Sequence, residues 1–139
     1  GLVGEALEYV NAHMTEDISV QDIADALNVS RYYLSHAFKK STGYGLWNYV
    51  ISKRLVYSQK LLVEGASVTD ACYESGFKDY AHFIKSFTKT FGCSPKQYGK
   101  NDASIYTVKL NAADAAIDRD SRCIYIHDEA KFINKELKN

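Results

Sequence analysis

No stretch of this chain approaches the eighteen or so consecutive apolar residues that a membrane span requires, and its start lacks a signal-peptide pattern. A cytosolic chain with no membrane partner is therefore expected. Cysteine is scarce: Cys72, Cys93 and Cys123 are an odd number, with no CxxC pair and no Cys/His cluster at ligand spacing. Neither a disulfide framework nor a zinc site is indicated, and reduced thiols are expected. His36 and His82 have no metal partner four residues on, so no metal or cofactor is expected. Excess charge is also missing, since Lys plus Arg and Asp plus Glu both stand at 17. Taken as a total, neutrality argues against a nucleic-acid binder, because phosphates favour proteins that bring surplus Lys and Arg.

The distribution of those charges points the other way. With 139 residues and a hydrophobic share of 46%, the chain can bury a core, as one domain or as a compact domain with an appendage. Its charges are segregated. Ala26 to Val63 holds no acid, only Arg31, Lys39, Lys40, Lys53, Arg54 and Lys60. Ser75 to Asn101 holds Lys78, Lys85, Lys89, Lys96 and Lys100 against Asp79 alone, whereas residues 1 to 25 carry acids and no Lys or Arg. The neutral total thus conceals two basic blocks.

The organising stretch is Ile18 to Gly43, ISVQDIADALNVSRYYLSHAFKKSTG. Val20, Ile23, Ala24 and Leu27 recur at helical spacing, with Gln21, Asp22 and Asp25 on the polar side. Asn28 tolerates the left-handed backbone of a tight corner, Val29 returns to the core, and Ser30 is placed to cap a second helix. On that helix Leu34, Ala37 and Phe38 share one side, while Arg31, Tyr32, Ser35, His36, Lys39 and Lys40 share the other. Two such helices form a helix-turn-helix, and the polar, basic outer face of the second suits a DNA major groove. Taken alone, the stretch reads equally well as a plain helical hairpin with a solvated face.

A second copy separates these readings. Ser19, Val20, Asp22, Ala24 and Leu27 correspond at an offset of 48 to Ser67, Val68, Asp70, Cys72 and Ser75. After one inserted residue, Ser30, Leu34, Phe38, Lys40 and Gly43 correspond at 49 to Asp79, Phe83, Phe87, Lys89 and Gly92. At the second corner Gly76 supplies the permissive backbone, Phe77 replaces Val29, and Asp79 replaces Ser30 as the cap. The second outer face is Tyr80, Ala81, Ile84, Lys85, Thr88 and Lys89. Between the copies, Leu46 to Glu64 keeps a helical period and is expected to be one long linker helix. Within it Arg54 either touches phosphate or, the favoured reading, pairs with an acid of the first helix. Trp47 and Tyr49 are expected to pack in the core and at its rim. Helices are also expected over residues 1 to 14, and from Cys93 to Tyr98 with Ser94 as cap and Pro95 first.

The run GFKDYAHFIKSFTKTFGCSPKQY, Gly76 to Tyr98, together with Ala24 to Phe38, resembles the two-motif DNA-binding domain of AraC/XylS-family transcription regulators. The resemblance covers residues from about 5 to 98. Gly99 departs from it where the family usually has Arg, and Leu46 where Pro or Phe is frequent. It implies recognition helices starting at Ser30 and Asp79. Base readers would be Tyr32, Ser35 and His36 in the first helix, and Tyr80, Ala81, Ile84 and Lys85 in the second. It implies double-stranded DNA as partner, RNA polymerase as a further one, and oligomerisation through a domain that is not in this chain.

The expected fold is all-α: two homeodomain-like helix-turn-helix subdomains, about 18–43 and 67–92, joined by the linker helix 46–64 within a DNA-binding domain 1–100. A small α+β extension, 101–139, follows. In it Ile105 to Leu110 and Cys123 to His127 are expected to pair as strands, with Asp128 capping a last helix. Its six basic and seven acidic residues do not suggest a second DNA surface. The expected function is sequence-specific DNA binding without enzymatic chemistry. The rivals are a redox sensor using Cys93, which precedes a helix N-terminus, and an interaction module for an acidic protein.

Overall fold

The computed structural model describes residues 1–100, 116–118 and 123–125. The first hundred residues are helical throughout: α1 (Leu2–His13), α2 (Val20–Ala26), α3 (Arg31–Thr42), α4 (Leu46–Val63), α5 (Val68–Glu74), α6 (Tyr80–Phe91) and α7 (Pro95–Lys100). Each start and stop has a local cause. The Ser19 hydroxyl accepts from Asp22 N–H at 3.1 Å while the Asp22 carboxylate accepts from Ser19 N–H at 2.8 Å, a complete capping box in which the shorter Asp serves in place of Glu. Ser30 caps α3 by accepting from Tyr33 N–H, and Asp79 caps α6 by accepting from His82 N–H, each at 3.0 Å. Both of these twelve-residue helices end on a glycine in the left-handed region, Gly43 at φ 78° and Gly92 at φ 80°. Ser94 and Gln97 form a second capping box ahead of α7.

The duplication read from the sequence is a duplication in space. The α2 and α5 helices are seven residues each, α3 and α6 twelve each. At the corners Val29 N–H donates to Ala24 carbonyl at 3.1 Å, and Phe77 N–H to Cys72 carbonyl at 3.2 Å. Asn28 stands at φ 57° and Gly76 at φ 104°, so the chain reverses the same way twice. Around the first corner the core is largely aliphatic, with Ala6, Val10, Ile23, Ala24, Leu34 and Phe38 fully buried. Around the second it is aromatic: Phe83 sits 5.1 Å from Phe77 and 5.8 Å from Phe87, and Phe87 lies 4.7 Å from Phe91 and 5.8 Å from Tyr98.

The α4 helix serves both cores. Leu46, Tyr49 and Val50 are buried near its start, with Tyr49 5.8 Å from Phe38, and Leu55 and Leu62 are buried further along. Ser52, Lys53, Arg54, Ser58 and Gln59 are buried as well, so the helix is enclosed on several sides rather than along one stripe. Leu46, the departure from the family pattern, is its buried first residue.

Outside the helices, β1 (Ala116–Asp118) pairs antiparallel with β2 (Cys123–Tyr125), Ile117 opposite Ile124. The expected partner of the 123–125 run was 105–110; among the described residues its partner is 116–118. Period-two alternation marks a segment able to form a strand but says nothing of its register or partner. The segments 105–110 and 128–137 lie outside the described residues.

Candidate nucleic-acid interface

Capping and core packing together decide what α3 and α6 present. On α3, Leu34 and Phe38 are fully buried, which turns Arg31, Tyr32, His36, Lys39 and Lys40 outward and leaves Ser35 half-buried. Tyr32 is 78% exposed and its ring stacks on His36 at 5.6 Å with 17° between the planes. A tyrosine this exposed buries almost no apolar area, so its position is not set by the core. Ser30 is exposed, but its hydroxyl is engaged as the cap.

On α6, Phe83, Phe87 and Phe91 are fully buried. Tyr80, Ala81, Ile84, Lys85, Thr88 and Lys89 line one continuous shallow face. Ile84 is half-buried and packs against the core from that face, so it is less exposed than the periodicity suggests. Asp79 is tied up as cap, leaving Lys85 and Lys89 as the charges of this face. Lys89 also borders a cleft of about 420 Å³ between α4 and α6, with Trp47, Asn48, His82 and Ser86. His82 lies edge-on to Phe77 at 5.7 Å, at the margin of the core.

Sequence reasoning passed over Tyr33, which is 59% exposed beside Tyr32. Its only signal was its place in the first turn of α3, where a side chain can escape the core. Trp47 is also more exposed than core packing would leave it, at the border of the α4–α6 cleft.

Arg54 is 5% exposed and touches no acid side chain of the first helix. Instead its Nε donates to the Met14 carbonyl at 2.6 Å and its Nη2 to the Glu16 carbonyl at 3.0 Å, while Trp47 lies over the guanidinium at 5.3 Å. Burial lowers its pKa and the nearby Asp17 carboxylate opposes that shift. The guanidinium stays charged at any working pH.

The thiols bear on the redox reading. Cys72 is fully buried, and burial, with Asp79 nearby, pushes its pKa up to about 11, so it stays protonated and unreactive near neutrality. Cys93, by contrast, is disulfide-bonded and 3% exposed, which corrects the expectation of reduced thiols throughout. Pairing between distant cysteines is set by the fold and leaves no trace in spacing. Among the described residues no group of His, Cys, Asp and Glu could hold a metal ion, and no helix is long and apolar enough to cross a membrane.

Two capped corners, each presenting an outward helix with exposed lysines, define a tandem helix-turn-helix protein. A helix-turn-helix domain family matches residues 23–101. The regulatory protein PocR of Salmonella typhimurium is 33% identical over 95 residues, which cover 68% of this chain and 31% of PocR. A transcriptional regulator with an AraC-type DNA-binding domain from Chromobacterium violaceum superposes with a TM-score of 0.65 at 27% identity, covering 70% of this chain and 88% of that one. The DNA-binding domain of AdpA, solved with a target DNA, shares the fold at a TM-score of 0.67 and 23% identity, covering 78% of this chain and 96% of that one. The chain belongs to the AraC-type helix-turn-helix family of DNA-binding transcription regulators. It spans about a third of the length of the first curated relatives it matches, 31% and 35%.

Proposed function

We propose that residues 1–100 form a DNA-binding domain that places α3 and α6 in two successive major grooves of one duplex, with α4 as the linker. The observation that carries this is the pairing of two equal, identically capped outward helices on either side of one shared helix. Eighteen residues of α helix span about 27 Å, against 34–36 Å for one turn of DNA, a mismatch that modest bending of the duplex makes up. Tyr32, Ser35 and His36 would read one half-site, and Tyr80, Ala81, Ile84 and Lys85 the other. Arg31, Lys39, Lys40 and Lys89 would hold phosphates, and the capping residues Ser30 and Asp79 would aim the helices.

Because the two helices are tandem copies rather than symmetry mates, the site is bipartite and non-palindromic, with centres about 10 base pairs apart. Footprinting on a selected site tests this. Two protected grooves on one face are expected, and a five-pair insertion between the half-sites should remove one motif's contribution. A single protected groove, with affinity unchanged by the insertion, would mean that only one motif reads DNA.

For the whole protein the same reading assigns transcription control in the cytoplasm without enzymatic activity. RNA polymerase would be a further partner, and oligomerisation would run through a segment outside this chain. Residues 101–139 are assigned to an accessory α+β layer, which β1 and β2 support.

A further inference from the structure

The second copy departs from the first at its corner in two ways: glycine replaces asparagine at position 76, and Lys78 is inserted before the cap. Both departures face the first motif. A Cβ on Gly76 would lie 2.6 Å from the Met14 carbonyl oxygen and 2.8 Å from Arg54 Nε, so only glycine lets the second corner close against the turn between α1 and α2. Lys78 forms an ion pair with Asp17 of that same turn. Arg54 reaches the turn from α4, binding the carbonyls of Met14 and Glu16. The first motif is already joined to the start of α4 by the chain at Gly43–Gly45 and by the packing of Tyr49 on Phe38; this seam holds it at a separate point, the turn between α1 and α2.

We infer that Arg54 is a positioning residue that fixes the angle between the two reading helices and so sets which half-site spacing the protein accepts. This rests on the two-groove reading. A body held at one corner can swing about it, and one held at two cannot. The Lys78–Asp17 pair is 69% and 74% exposed, and exposed pairs contribute little orientation energy. The buried fork of Arg54 on two carbonyls therefore carries the constraint. When two modules bind one duplex, a rigid link concentrates the second module at the correct groove, whereas a loose one spreads it over many placements.

The test uses dissociation constants of the chain and its Arg54→Gln variant on three duplexes: a selected bipartite site, the same site with five pairs inserted, and a single half-site. For the unaltered chain the first two should differ on the order of 100-fold, the low end of the gain from linked binding. In Arg54→Gln that ratio should fall below ~10-fold while half-site affinity changes by less than ~2-fold. General destabilisation would weaken all three duplexes together and leave the ratio intact. A variant that melts cooperatively and keeps the full ratio overturns the proposal. Arg54→Lys retains the charge and can reach one carbonyl, so it carries the same test where the Gln variant does not fold. An intermediate ratio supports the proposal, and an unchanged one overturns it. If the unaltered chain shows two protected grooves but no spacing preference, the positioning role fails and the two-groove reading stands. If it protects one groove, both fail.

Discussion

Lys85 and Lys40 carry the same charge but sit differently. Lys85 lies in the middle of the continuous α6 face, flanked by Ala81, Ile84 and Thr88, whereas Lys40 is exposed near the end of α3. A side chain at the centre of a reading helix can reach a guanine edge, while one near the helix end meets phosphate first. Lys85→Ala should weaken cognate binding by ~1–3 kcal/mol and relax preference at one or two base pairs. Lys40→Ala should weaken every sequence alike. Equilibrium titrations on cognate and random duplexes separate the two, and an equal loss on both for Lys85 would make it a phosphate contact. Such distinctions are only partly legible in sequence. Helical spacing placed Lys85 and Tyr32 on outer faces, but it could not show that Tyr33 also escapes burial or that Ile84 half-returns to the core.

Turns and caps, at the scale of elements, were the most legible features. Ser30, Asp79 and Ser94 act within three residues of themselves, so local chemistry suffices to read them. What eluded the sequence was whatever depended on a distant neighbour: the strand opposite Cys123–Tyr125, the bonded state of Cys93, and the partners of Arg54. Gly76 shows both sides of this. Its permissive backbone was foreseeable; its contact with Met14, more than sixty positions away, was not. Gly76→Ala should therefore cost roughly 2–4 kcal/mol, combining a strained φ with an overfilled contact. Asn28→Gly, at the equivalent corner, should change stability by less than ~1 kcal/mol. Urea unfolding measures both, and a Gly76→Ala variant within ~1 kcal/mol of the unaltered chain would refute the close-contact account.

Across the whole molecule, zero net charge is compatible with DNA binding because the acids of residues 1–25 are set apart from the basic blocks along the chain, although Asp17 pairs with Lys78 in space. Each phosphate neutralised releases counterions, so the logarithm of affinity should fall against the logarithm of salt with a slope on the order of −4 to −7. A slope near zero on duplex DNA would exclude the mechanism. The shared burial of α4 has a different consequence, one for folding. A helix enclosed by two motifs belongs to neither. Cut the chain on either side of α4 and the fragment that keeps the helix leaves one apolar flank of it open to water, while the other fragment loses the side chains that α4 buried in its core. The doubled architecture should therefore unfold in one cooperative transition, and truncation to a single copy should not give a folded fragment.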